Sequence, residues 1–300
     1  MIDEEAGELH RPRPPLSNWG RWGREDELGA SNLVTDEKRL AALSIPRKGR
    51  VLHLSYLLGA AESPTRQQPL HLMNHPDAES VTKKGYTFAT DYIGLQVHGS
   101  STHIDALGHI FYDDQMYNGF EAADAFRANG LARLGIDRAP PLITRGLILD
   151  VAGVRGRDRL DSHYEITVED LEASLQGLKC QIEPGDAILI RTGWAITFAE
   201  DPSRFVSEAP GIGLAAAEWL ARQDPLGIGS DTSGVEVRPR ASEMSHPVHR
   251  LLLRDCGIYL MELLSLDILA ADCDTPFLFV GLPLRIAGGT GSPLAAVAIY

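Results

Sequence analysis

The sequence predicts an α/β fold in one domain, and three observations carry that expectation. Short, almost wholly apolar runs recur at Gly146–Val151 (GLILDV) and in the DAILIR run ending at Arg191, the composition of strands buried on both faces. Helix signals lie between such runs, clearest in LAAAEWLAR from Leu214 to Arg222. After residue 140 the two kinds of segment alternate without long gaps, as layered α/β domains require.

The chain opens with an irregular arm over residues 1–35, where Pro12, Pro14 and Pro15 oppose helix, and a single domain follows over 36–300. Trp19 and Trp22, in NWGRWG, read as anchors of that arm on the core or on a second subunit; contact with a substrate is the other use of such rings. Val51–Leu58 reads as a strand, residues 59–90 as a long loop, and Tyr92–Val97 as a second strand. Thr167 caps a helix over about 168–176, with Asp170 in the capping-box position. Further strands are expected at Leu226–Gly229, Gly257–Glu262, Phe277–Val280 and Ala295–Ile299, and helices at His249–Arg254 and Leu263–Ala271.

The 28 Lys and Arg against 41 Asp and Glu leave a formal net charge of −13 over 300 residues. That balance opposes broad nucleic-acid or anionic-membrane binding and leaves a small-molecule substrate as the expected partner. No run of 18 apolar residues marks a membrane span, and the acidic opening MIDEEAGELHRPRPP lacks the apolar stretch of a secretory signal. Cys180, Cys256 and Cys273 are too scattered for a disulfide framework. A cytoplasmic enzyme is the expectation.

The chemistry concentrates in HGSSTHIDALGH, which places His98, His103 and His109 with Asp105 in twelve residues. His and Asp suit zinc or manganese. In an extended segment His103 and Asp105 share a face. His98 is five residues before His103, but Gly99 permits a bulge or turn that brings it back. His109, after a turn through Ala106, Leu107 and Gly108, faces the same point without binding there. The spacing from His103 to His109 is not one helical face, so this is not a helical HExxH motif. No G-x-S-x-G elbow supports a serine hydrolase. His53 reads as a core or pocket histidine, and His71 and His75 as solvated loop residues. Asp231, in GSDTSG, either orients a ligand histidine or caps a turn.

Thr102, His103, Asp105 and His109 are in register with the signature His-x-Gly-Thr-His-x-Asp-x-x-x-His of the putative cyclase family of metal-dependent hydrolases, which takes in kynurenine formamidases, isatin hydrolases and trans-dienelactone hydrolases. The chain resembles that family over most of its length. Gly99 stands where the family has its first histidine, and His98, one residue away, is the matching ligand. NWGRWGREDELGASN, RTGW (Arg191–Trp194), GIGSDTSGVE (Gly227–Glu236), HPVHRLLLRDCGIYLMELL (His246–Leu264) and LPLRIAGGTGSP (Leu282–Pro293) follow in the family's order.

The resemblance implies a swivelling β/β/α domain, with a mixed sheet and flanking helices, assembled as a homodimer or homotetramer. It implies Zn2+ or Mn2+ on His98, His103 and Asp105, and His109 as proton shuttle. His249 and Glu262 match a later His-then-Glu pair that binds a second ion or shapes the pocket, and His246 stands near enough to replace His249. Trp19, Trp22, Tyr92 and Phe111 are candidate contacts to a substrate ring. The implied reaction is hydrolysis of a C–N bond in a small cyclic or aryl amide of the arylformamide, isatin or cyclic imide type. Lactone hydrolysis is the nearest alternative. A polyketide-type cyclase or lyase and a non-catalytic metal-binding protein are the alternatives of other classes.

Overall fold

The computed structural model describes residues 13–61, 63–64, 67–74, 88–239, 246–273 and 275–300. His75 and residues 1–12 lie outside them. The strands of the main sheet and of a separate β2–β3 ribbon, in chain order, are β1 Val51–His53, β2 Leu70–Asn74, β3 Thr90–Gly94, β4 His103–Asp105, β5 Leu142–Asp150, β6 Ala187–Arg191, β7 Gly227–Ser230, β8 Tyr259–Glu262, β9 Phe277–Pro283 and β10 Gly291–Ile299. Eight of them form one mixed sheet in the order β1-β10-β9-β5-β6-β7-β8-β4. β5 to β8 run parallel, and β9, β10, β1 and β4 join antiparallel. β4 also pairs with the start of β10, which closes the sheet.

The apolar runs explain the parallel centre. β6, β7 and β8 are buried residue after residue, so such strands cannot alternate polar with apolar. The helices α1 Asp36–Leu43, α2 Val168–Leu178, α3 Leu214–Ala221, α4 Pro247–His249 and α5 Asp267–Asp272 flank this sheet. α1, α2 and α5 pack on β5, and α3 packs on α2. Thr167 caps α2 with a full capping box to Asp170, as the spacing predicts. α4 continues directly into a π-helical turn, Arg250–Asp255.

Four expectations are corrected. The strand expected over Val51–Leu58 ends at His53; beyond it the chain turns to the segment after β8, where the Leu54 carbonyl accepts from the Ser265 amide and Ser55 bridges to Leu264. Within the expected loop 59–90, β2 pairs with β3, with Leu72 opposite Tyr92; His71 accordingly sits on a strand and contacts Asp91 at 3.2 Å. His53 is exposed at the sheet's edge, not in a core or pocket. The helix expected from Leu263 begins at Asp267, because the Leu263 and Leu264 amides donate to Thr232 and Ser230 at the end of β7.

The arm lies on the chain's own core. Trp19 is 8% exposed, and its Nε1–H donates to the Arg254 carbonyl at 2.9 Å. The Arg254 guanidinium lies over the same ring at 4.4 Å. Trp22 is half-buried, with the Arg21 guanidinium over it.

Candidate metal centre

The segment before β4 makes a tight turn. Gly99 takes φ +99°, a left-handed conformation that costs a side-chain-bearing residue energy, and the turn swings His98 back over β4. His98 Nδ1 then lies 2.8 Å from Asp105 Oδ1, while its Nε2 meets the Thr290 hydroxyl at 3.0 Å. Thr102 fixes the start of β4: its hydroxyl donates to the Leu263 carbonyl and accepts from the Tyr56 amide.

Strand alternation puts His103 and Asp105 on one face, and both are 1% exposed. His103 Nδ1–H donates to the Ser101 carbonyl at 2.9 Å, which turns Nε2 inward. That Nε2 lies 3.6 Å from Asp105 Oδ1 and 3.4 Å from Glu262 Oε2. The Glu262 contact follows from register, since His103 stands directly opposite Glu262 across the β4–β8 pair.

The opposite wall comes from β8, α4 and the segment after β7. His249 Nε2 is 3.1 Å from Glu262 Oε1 and 3.9 Å from Asp105 Oδ2. Glu236 Oε1 accepts from His246 Nδ1 at 2.8 Å, and Oε2 accepts from the Val248 amide at 3.0 Å. His249 Nδ1 approaches the same Oε1 at 2.7 Å, a close charged contact without the alignment of a good hydrogen bond.

The electrostatics are those of a cluster that holds cations. Burial pushes Asp105 toward its neutral form, but His109, the His98 hydrogen bond and His103 together hold its carboxyl far below the usual range. Burial also opposes ionisation of Glu236, yet His246 and His249 bring it down to about 2. For His249 burial works against the charge and loses to Glu236 and Glu262, so it is raised to about 10. His109 moves the other way: burial lowers it, the attraction of Asp105 opposes this, and repulsion from His98 and His249 adds to the lowering.

Two buried atoms decide whether this cluster suits a metal. Among the described residues His103 Nε2 and Asp105 Oδ2 have no hydrogen-bond partner, which costs roughly 1–3 kcal/mol each if nothing else binds there. Ligand atoms of His98, His103 and Asp105 lie within 4.8 Å of one another, as do those of Asp105, His249 and Glu262. Imidazole nitrogen and carboxylate oxygen in this number fit zinc or manganese.

His109 stands beside this cluster. After the turn Ala106–Gly108 its ring stacks on His98, with centroids 3.8 Å apart and planes at 15°. It borders a cavity of about 190 Å3 that also reaches Asp105, His249 and Glu262.

The structure thus brings His98, His103, Asp105, His109, His249 and Glu262 together, with His246 alongside. It does not bring the four candidate ring contacts to the cavity wall. Trp19 is buried under Arg254 and Trp22 lies under Arg21 on the arm. Tyr92 is 62% exposed on the β2–β3 ribbon, and Phe111 packs on Phe126 at 5.2 Å. Asp231 caps a turn: it accepts from the Thr192 and Gly193 amides and the Thr192 hydroxyl. Glu236 and Thr290 are site residues that the sequence alone does not single out. Glu236 ends the GIGSDTSGVE motif, so its neighbourhood was visible and its role was not.

Other proteins resemble this chain in sequence and fold. The family described as Putative cyclase matches residues 43–237. The isatin hydrolase of Roseibium aggregatum is 27% identical over 242 residues, which is 78% of this chain and 82% of that one. The crystal structure described as a novel cyclase superposes with a TM-score of 0.86 at 34% identity, covering 95% of this chain and all of the other. Isatin hydrolase A from Ralstonia solanacearum shares the fold, with a TM-score of 0.62 at 23% identity over 89% and 98% of the two chains. The matched length, the order of the motifs and the folded geometry agree: this chain belongs to the putative cyclase family.

Proposed function

We propose that this protein is a metal-dependent hydrolase that cleaves a C–N bond in a small cyclic or aryl amide. The observation that carries the reading is the convergence of two unpartnered buried atoms, His103 Nε2 and Asp105 Oδ2, on the space faced by Glu262 and His249. The likeness to an isatin hydrolase supports the amide. His98, His103 and Asp105 would hold a divalent ion, Zn2+ or Mn2+, and Glu262 with His249 would complete its surroundings or hold a second. Such an ion supplies an acidified water and polarises a carbonyl oxygen.

The chain's own residues do the rest. His109 lies against His98 at the cavity wall, where its ring takes a proton during attack on the carbonyl and returns it to the leaving nitrogen. Glu236 holds the His246–His249 segment against the site through the Val248 amide and both rings. Burial of His103, Asp105 and Glu262 keeps bulk water from their ligand atoms.

The reading extends to a homo-oligomer in the cytoplasm. The β2–β3 ribbon exposes Leu70, Leu72, Met73, Tyr92 and Ile93, each by more than half, more apolar surface than a two-stranded ribbon leaves in water without a partner. Light scattering on the purified protein tests the assembly, and a monomer would contradict it.

The experiment for the reaction is a panel of N-formylarylamines, isatins, cyclic imides and dienelactones, assayed with the metal-reconstituted protein. Turnover of an amide supports the proposal. Turnover of lactones alone, or of nothing in the panel, rejects it.

A further inference from the structure

Thr290 lies at the head of β10, in the stretch GGTG. Its backbone is pinned from several directions. The Thr290 carbonyl accepts from the Ala106 amide at 3.0 Å, just past the end of β4. The Gly288 amide donates to Asp137 Oδ1 at 2.9 Å. The carbonyls of Gly288 and Gly289 accept from the Leu131 and Ile136 amides, both at 2.8 Å. The next residue, Gly291, stands opposite Asp105 across the β4–β10 pair. Register and these bonds set Thr290 beside the His98 ring, where its hydroxyl meets Nε2 at 3.0 Å.

Gly291 makes room for that ring, since a Cβ there would sit 2.9 Å from His98 Cε1. His109 covers one of its faces. With Nε2 turned to Thr290, the nitrogen turned to the cluster is Nδ1, 2.8 Å from Asp105 Oδ1. That oxygen in turn lies 3.6 Å from His103 Nε2. A neutral imidazole carries one ring proton, and a nitrogen that binds an ion must be without it. Either partner can donate in the contact between His98 and Thr290, but only Nε2–H donating to Oγ1 leaves Nδ1 bare. His103 is held the other way round: its Nδ1–H donates to the Ser101 carbonyl, which leaves Nε2 bare. The two histidines therefore face the cluster through different ring nitrogens, each with an oxygen behind it. Behind His103 that oxygen belongs to the main chain, and behind His98 to a side chain.

We propose that Thr290 is a positioning residue whose hydroxyl accepts from His98 Nε2–H and so presents Nδ1, not Nε2, as the metal-binding nitrogen of His98. This rests on the reading of His98 as a ligand, and the experiment separates the two. Nδ1 is the ring nitrogen nearer the main chain, which suits a side chain that the Gly99 turn folds back close over β4. Zinc affinity would be measured by competition with a chelating dye on wild type, Thr290→Val, Thr290→Ser and His98→Ala. Nitrogen NMR of wild type labelled with 15N-histidine, at saturating zinc, would report which ring nitrogen is bound and which carries the proton. The same spectrum of His98→Ala assigns the signals of His98.

Thr290→Val keeps the side chain's shape without the hydroxyl and is expected to weaken zinc binding about 10–100-fold, as losses behind a ligand histidine do. Thr290→Ser keeps the hydroxyl and should stay within about threefold of wild type. The wild-type spectrum should show His98 with a zinc-bound Nδ1 and a protonated Nε2. That spectrum decides the point even if Thr290→Val fails to fold. Equal losses in Thr290→Val and Thr290→Ser, no loss in Thr290→Val, or a His98 bound through Nε2 overturns the proposal and leaves the metal centre standing. Zinc binding unchanged in His98→Ala also overturns it, because His98 is then no ligand. A wild type that binds neither zinc nor manganese overturns the metal centre and this proposal with it.

Discussion

The two walls of the metal centre are built on different principles. On the β4 wall, His98, His103 and Asp105 come from eight consecutive residues, and two of their inward atoms lack a hydrogen-bond partner among the described residues. On the facing wall, Glu236, His249 and Glu262 come from three separate elements, and Glu236 and Glu262 are bonded to histidines. The first wall is poised for a cation. The second holds ligands in place and tunes the field around them. Changes to the first should remove the ion, whereas changes to the second should loosen it.

The sharpest way to break that contrast is on β4. His103→Ala should lose the metal and at least about a thousandfold in kcat/KM, given how much of such catalysis the ion supplies; metal analysis and steady-state kinetics on one preparation check both. His109→Asn should separate the two effects. It is expected to keep the metal and lower kcat by roughly 10²–10⁴-fold, the usual yield of a positioned acid–base group. Loss of metal along with the activity would make His109 a ligand instead.

The facing wall should respond more mildly. An amide at position 236 cannot accept from His246, His249 and Val248 together. Glu236→Gln is therefore expected to weaken metal affinity about 10–100-fold, as changes behind a ligand histidine do, measured by competition with a chelating dye. An affinity equal to wild type would show that His249 is held without it.

Away from both walls, Asp231 offers a pH test. Burial raises its carboxyl from 3.8 to about 6, against the bonds from Thr192. A raised acid binds its proton more tightly in the folded state, so its contribution is full below pH 4 and is lost as pH rises through 6. Wild type should lose stability relative to Asp231→Asn across that window, by on the order of 3 kcal/mol, read from urea midpoints. Parallel pH profiles for the two proteins would contradict the shift. The smallest expected effect is at Trp19: Trp19→Phe removes the bond to the Arg254 carbonyl, worth about 1 kcal/mol, and should leave KM unchanged because the ring lies on the arm.

The contrast between the walls also explains what could be read in advance. The β4 wall was legible because alternation fixes His103 and Asp105 on one face, and because a glycine beside His98 marks a turn. The buried strands were legible from their apolar runs, and α2 from its cap. Glu236 was invisible because its partners lie ten to thirteen residues away across a turn, at a distance periodicity does not reach. The pairing of His103 with Glu262 depends on the register of β4 against β8, which neither segment encodes alone. The early end of the first strand has a similar origin, since the contacts of Leu54 and Ser55 with Ser265 and Leu264 lie far along the chain. The four candidate rings lie away from the cavity wall for another reason: aromatic residues are as useful for anchoring an arm as for meeting a substrate, and composition does not distinguish those uses.

The account's central claim is that His103 and Asp105 face a bound divalent ion. Elemental analysis of the purified protein, beside His103→Ala and Asp105→Ala, tests it most directly. The account predicts about one or more equivalents of zinc or manganese in wild type and loss of that metal in both variants. A wild type that holds no metal even after reconstitution, or variants with the wild-type content, would contradict it.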